Sequence, residues 1–162
     1  MILPDVNALV HAYNLKSPVH ASARAWWERL LSEPSPVGLA WVVLPGFIRI
    51  TTHPRVLTNP MSVDAAIRHV ETWLAQPQVM IVYPGEQHAS VTFSLLRHLG
   101  SAGNLTTDAH IAALAIELHA EVHSTDISSP NRYHQSFDRI MSSRLAIRND
   151  SAAPGSVIVT AR

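Results

Sequence analysis

Thr106-Thr107-Asp108-Ala109-His110-Ile111-Ala112-Ala113-Leu114-Ala115-Ile116-Glu117-Leu118-His119, followed one residue later by Glu121-Val122-His123-Ser124-Thr125-Asp126, is the stretch that decides the fold. Ile111, Ala112, Ala115 and Ile116 recur at helical spacing, so the first part reads as a helix over 108–119, capped by Thr106 or Thr107. Glu121–Ser124 is too short for a second helix and reads as a strand, with an acid just beyond it. Upstream the same alternation repeats. Met1-Ile2-Leu3 is an apolar strand that Pro4 closes next to Asp5. Helical spacing follows over 7–13 and 20–31, a strand over 37–40, and a helix over 41–51 that begins or bends at Pro45-Gly46. Ser62 caps a helix reaching Leu74, Val79–Val82 is a third strand, and 86–99 is helical. Short strands alternating with helices predict an α/β fold with a mainly parallel sheet.

The chain has 162 residues, 12 Lys+Arg against 12 Asp+Glu, and 47% hydrophobic residues, which suits one domain with a real core. Cysteine is absent, which excludes a disulfide scaffold, a thiol nucleophile and Cys-based zinc or iron–sulfur sites. No apolar run approaches the roughly 18 residues of a membrane span. The opening MILPDVN has no basic region ahead of its apolar stretch, so no signal peptide and no membrane partner are expected; the cytoplasm, where a cysteine-free chain is at home, is the expected location. With zero net charge, any nucleic-acid binding must rest on local positive charge. That charge sits late: residues 127–162 hold five arginines and two aspartates, net +3. The same stretch is serine-rich and weakly periodic, so the reading is a 1–126 domain and a divergent, flexible 127–162 segment. The alternative is a strand at Ser156–Thr160, around Val157-Ile158-Val159.

Asp5, Asp108 and Asp126 share a type of position, at a strand's carboxyl end or a helix's start. In open parallel sheets these lie on one edge, where ligands bind. Three converging carboxylates repel unless a cation lies between them, and oxygen-only ligation suits Mg2+ or Mn2+ rather than zinc. Each acid also has an ordinary reading: Asp5 as a cap, Asp108 as a first-turn helix acid, Asp126 as a turn residue. The ten histidines form no clear i, i+4 pair within one helix and read as surface or satisfied side chains.

Leu3-Pro4-Asp5-Val6-Asn7-Ala8-Leu9-Val10 resembles the opening of a PIN domain, in particular the VapC-type ribonuclease toxins of bacterial toxin–antitoxin systems. His20 to Trp27, Gly46-Phe47-Ile48-Arg49-Ile50, Asn59-Pro60, Gly103-Asn104, Asp108 to Ala115 and Ser124-Thr125-Asp126 follow the same family in order. The resemblance covers 1–126 and implies a three-layer α/β/α fold, with a short mainly parallel sheet flanked by helices. It also implies a Mg2+-dependent (or Mn2+-dependent) endoribonuclease cleaving RNA, neutralised by a small antitoxin, and a homodimer. By position, the metal-binding catalytic acids fall on Asp5, Asp108 and Asp126, support for the first acid on Asn7, and a phosphate contact on Arg49. One family glutamate position is occupied by Gly46, which favours one firmly held metal over two. The tail after Asp126 also departs from the family pattern.

Two rivals follow. A catalytically weakened PIN-like binding protein fits Gly46 and the divergent tail. A haloacid-dehalogenase-like phosphatase fits Asp5, but would want an aspartate where Asn7 stands and a well-placed lysine, and Lys16 is the single lysine.

Overall fold

The computed structural model describes residues 1–99, 103 and 105–125, with the strands 145–149 and 156–161. Strands β1 (Ile2–Pro4), β2 (Val37–Ala40), β3 (Val79–Val82) and β4 (Glu121–Thr125) are parallel to one another, in the order β3-β2-β1-β4. Between them run helices α1 (Val6–Tyr13), α2 (His20–Ser32), α3 (Val43–Thr51), α4 (Val63–Leu74), α5 (His88–Leu99) and α6 (Leu105–Leu118). The chain moves one way from β1 to β2 and β3, then crosses back to β4 on the far side of β1. Right-handed crossovers in opposite directions put α1–α4 on one face and α5–α6 on the other. In agreement, α1 packs on α2 and α3, α3 on α4, and α5 on α6. The result is the expected PIN-like α/β/α arrangement.

Beyond β4 the sheet continues with β5 (Leu145–Asn149) and β6 (Ser156–Ala161), in the order β4-β6-β5 and with antiparallel pairing. Val122 of β4 stands opposite Val159. Without β6, β4 would present a row of unpaired N–H and C=O groups, and the β-branched run Val157-Ile158-Val159 suits a strand. The expectation of a flexible 127–162 otherwise falls outside the described residues.

Two local expectations are adjusted. Helix α6 starts at Leu105, so Thr106 lies inside its first turn, where its hydroxyl donates to the Gly103 carbonyl at 3.0 Å. Pro45 does not break α3: it is the third residue of the helix, where the missing N–H would have had no intrahelical partner.

The core explains the helix order. Trp27, Phe47 and Trp73 are fully buried, with Trp73 edge-on to both of the others at 5.4 and 4.7 Å between centroids. The Trp73 indole N–H donates to the Tyr13 hydroxyl at 2.8 Å, so the polar end of that indole is satisfied. On the other face α6 is buried nearly all round, as a run of Ala109, Ile111, Ala112, Ala113, Leu114 and Ala115 requires.

Candidate active site

Strands β1 and β4 are neighbours, but the chain leaves β1 in one direction and reaches β4 from the other. That is a topological switch point, where the carboxyl ends of two strands part and leave a crevice. Asp5 stands at its mouth. Its backbone N–H continues the ladder to the His123 carbonyl at 2.8 Å, and its backbone is extended (φ −76°, ψ 156°) as the N-cap of α1. Oδ1 accepts the Val6 N–H at 2.6 Å, and Oδ2 accepts the Ser124 hydroxyl at 2.9 Å. The carboxylate is 2% exposed. Cap and site residue are therefore compatible roles for Asp5. The hydrogen bonds from Val6 and Ser124 orient the carboxylate.

Asp108 lies in the first turn of α6 and is also buried. Helix α6 runs back to the start of β4, where the Glu121 N–H bonds the Met1 carbonyl. The amino end of α6 therefore lies at the same sheet edge as Asp5, from the opposite face of the sheet. The helix dipole favours a carboxylate there. Asp126 follows β4 in sequence and lies outside the described residues. Among the described residues no three acidic or imidazole side chains stand close enough to hold a metal ion. Asn7 is half-buried in the first turn of α1, and Arg49 is exposed in the last turn of α3. Gly46 faces the start of α1: a Cβ there would lie 3.3 Å from Val6 Cγ2, one residue from Asp5. Arg49 is three residues on from Gly46, hence on the same side of α3.

The oxygen-only donor set of Asp5 and Asp108 suits a hard divalent cation, and their burial suits a site where that cation's charge is little screened.

Three features were not legible in the sequence. Ser124 was visible only as part of a motif; its bond to Asp5 spans 119 residues and exists because β1 and β4 pair in this register. Behind it, the Trp26 indole N–H donates to His123 Nδ1 at 3.1 Å, tying α2 to β4. Third, His88 and His110 are not independent surface histidines. Glu117 Oε2 lies 2.7 Å from His88 Nδ1, and His88 Nε2 lies 2.8 Å from His110 Nδ1, with the rings nearly perpendicular. Burial, then the neighbouring His88, holds the His110 imidazole below its ordinary pKa, against an opposing pull from Glu117. Helical spacing within one element could not find this group, because α5 and α6 each supply part of it.

A PIN domain model matches residues 2–128. The chain belongs to the PIN-domain family. Among PIN-domain relatives, Ribonuclease VapC33 of Mycobacterium tuberculosis is 42% identical over 126 residues, covering 78% of this chain and 88% of the relative. Ribonuclease VapC43 and Ribonuclease VapC37 of the same organism are 40% and 38% identical, again over 78% of this chain and over 86% and 88% of their own lengths. The resemblance to VapC-type proteins therefore extends over most of the chain. A solved structure described as FitAB bound to an IR36 DNA fragment superposes with a TM-score of 0.57 at 18% identity, covering 86% of this chain and 90% of that one, and shows the same fold. No helix among the described residues is long and apolar enough to cross a membrane.

Proposed function

We propose that this protein is a VapC-type endoribonuclease toxin, whose catalysis depends on a divalent cation held by Asp5, Asp108 and Asp126. The observation that carries the reading is the buried Asp5 carboxylate at the β1/β4 switch point, held by Val6 and Ser124, on the edge that Asp108 shares. The ribonuclease names of relatives at 38–42% identity support RNA as the substrate. Mg2+ is the expected ion and Mn2+ a workable substitute, since both prefer carboxylate oxygens. A bound ion of this kind polarises a phosphodiester and lowers the pKa of a water molecule.

The chain's own groups divide the remaining work. Val6 N–H and Ser124 O–H fix the Asp5 carboxylate before the ion arrives, so little orientation is lost on binding. Asn7, in the first turn of the helix that Asp5 caps, supports that acid from the same helix. Exposed Arg49 contacts a phosphate without competing for the ion. Gly46 leaves out one acid, so one cation is held firmly. In the cell, a small antitoxin would silence the site, a homodimer is the expected assembly, and the cytoplasm is the expected location.

RNA cleavage measured with and without Mg2+, for wild type and Asp5→Asn, tests the reading. Cation-dependent cleavage that disappears in Asp5→Asn is expected. Cleavage that survives chelation, or persists at the wild-type rate in the variant, would overturn it. No cleavage by wild type, with RNA still bound, would favour the non-catalytic binding protein that Gly46 first suggested.

A further inference from the structure

The sheet edge that carries Asp5 continues past β2 and β3, and its character changes there. The register sets Ala40 opposite Val82, so Trp41 and Tyr83 each follow directly at the carboxyl ends of neighbouring parallel strands. Parallel strands lie about 4.8 Å apart, which puts Trp41 one strand and Tyr83 two strands from the strand of Asp5. Both rings are largely in solvent, 61% and 67% exposed. With Val42, Val82, Pro84 and His110 they line a cavity of about 530 Å³, within the range of sites that hold small rigid ligands.

The lining is mostly apolar, and besides the Trp41 N–H and the Tyr83 hydroxyl it contains the His110 imidazole, a ring that is held in place. His110 Nδ1 is engaged by His88 Nε2, and His88 is anchored through Nδ1 to Glu117. Glu117 is itself fixed, since the Gly85 N–H donates to the same carboxylate oxygen at 3.4 Å. His110 lines the cavity, and with Nδ1 engaged by His88 its Nε2 is the ring's other hydrogen-bonding atom. Two exposed aromatic faces beside one oriented polar atom form a site for a flat ligand with a polar edge.

We propose that this cavity is a nucleobase subsite: it receives one unpaired base of the RNA, stacked against Trp41 and Tyr83, with the base edge at His110 Nε2. Glu117 and His88 act as positioning residues for His110. The proposal rests on the ribonuclease reading and adds the place on the sheet edge where one base is gripped. A nucleobase is favoured over a protein side chain because the cavity continues the acid edge: a chain whose phosphate lies at Asp5 carries its neighbouring bases along β2 and β3. A duplex keeps its bases stacked on each other, whereas loops and single strands can offer a splayed base to an aromatic face.

The test separates binding from cleavage. Fluorescent oligo(A), oligo(U) and oligo(C) strands and a matched duplex are titrated, in chelator, into wild type, Trp41→Ala, Trp41→Phe, Tyr83→Ala and His110→Ala. Stacking on an aromatic contributes about 1–3 kcal/mol per base, so each aromatic-to-alanine variant should bind single strands about 5- to 150-fold more weakly. Trp41→Phe keeps a stacking face and should stay within a few-fold of wild type. His110→Ala should narrow the differences among the three homopolymers. Both aromatic positions are exposed, so melting temperatures should not move, and in Mg2+ Trp41→Ala should show raised KM with kcat retained. Wild-type affinity in both Trp41→Ala and Tyr83→Ala would overturn the proposal. So would loss of self-association in those variants with RNA affinity unchanged, which would give the face to a second copy of the chain. The two readings fail separately. Single-strand binding that depends on Trp41, without cleavage by wild type, removes the ribonuclease and keeps the subsite. Cleavage indifferent to both rings does the reverse.

Discussion

One sheet edge carries two different surfaces. At the β1/β4 end, Asp5 is buried and each of its oxygens accepts a hydrogen bond. At the β2/β3 end, Trp41 and Tyr83 stand in solvent around a mostly apolar cavity that His110 also lines. Burial explains why the two ends suit different tasks. A charged group removed from water must be held by hydrogen bonds and counter-charge, so it is preorganised and intolerant of change. An exposed ring gains by stacking whatever flat surface arrives, so it tolerates variation in its ligand. On the proposed function, chemistry would be concentrated at the switch point, and grip on the substrate would be spread along the edge.

The largest effect that would sharpen this contrast is Asp5→Asn. Asparagine is as good an N-cap as aspartate and keeps an oxygen for Val6 N–H, so the fold should survive. A cation's charge stabilisation amounts to several kcal/mol, so RNA cleavage at saturating Mg2+ should fall by about two to three powers of ten or more. The contrast breaks if this variant loses less activity than Trp41→Ala.

Next in size is the response to metal. Binding to the folded state alone stabilises by about 2.7 kcal/mol at a hundredfold excess over Kd. For a chain of this size that raises the melting temperature by roughly 5–10 °C. Scanning calorimetry in Mg2+ or Mn2+ should show this rise in wild type and far less in Asp108→Asn. Equal rises in the two would remove Asp108 from the site.

Ser124→Ala comes third. It removes a hydrogen bond to a charged, buried group, at a cost of about 1.5–3 kcal/mol. Urea unfolding should show that loss, and the metal-induced melting shift should shrink because Asp5 is less constrained. An unchanged unfolding midpoint would mean that Asp5 keeps its orientation without Ser124.

The smallest effect on stability is expected for Gly46→Glu. Residue 46 lies within α3, so a side chain is conformationally allowed, and leaving glycine in a helix interior gains about 0.5–1 kcal/mol. The new Cβ needs Val6 to give by only a few tenths of an ångström. The restored acid should tighten Mg2+ binding by isothermal titration. Unchanged affinity in a stable variant would show that this position does not reach the ion.

Much of the molecule was legible in the chain because the signals are local. Helical spacing in 108–119, apolar runs at 37–40 and 79–82, and Pro4 beside Asp5 each act within a few residues. Order along the sequence then implied a parallel sheet, and the PIN-like motifs implied its family. Boundaries were less legible. Helix α6 opens at Leu105 and α3 runs through Pro45, because tolerance of proline and of a threonine depends on which turn of the helix they occupy.

Sequence alone determined that acids stand at strand and helix ends, and that the chain alternates between two periodicities, since backbone preference and amphipathic spacing are properties of neighbouring residues. Tertiary structure alone decided what those residues meet. Ser124 reaches Asp5 only because β1 and β4 lie side by side, though 119 residues separate the partners. Glu117, His88 and His110 form one network only because α5 packs on α6. Trp41 and Tyr83 share a cavity only because β2 and β3 end level with each other. Such contacts depend on the pairing of distant segments, whose register is fixed by burial of the whole core and is not written in any one segment.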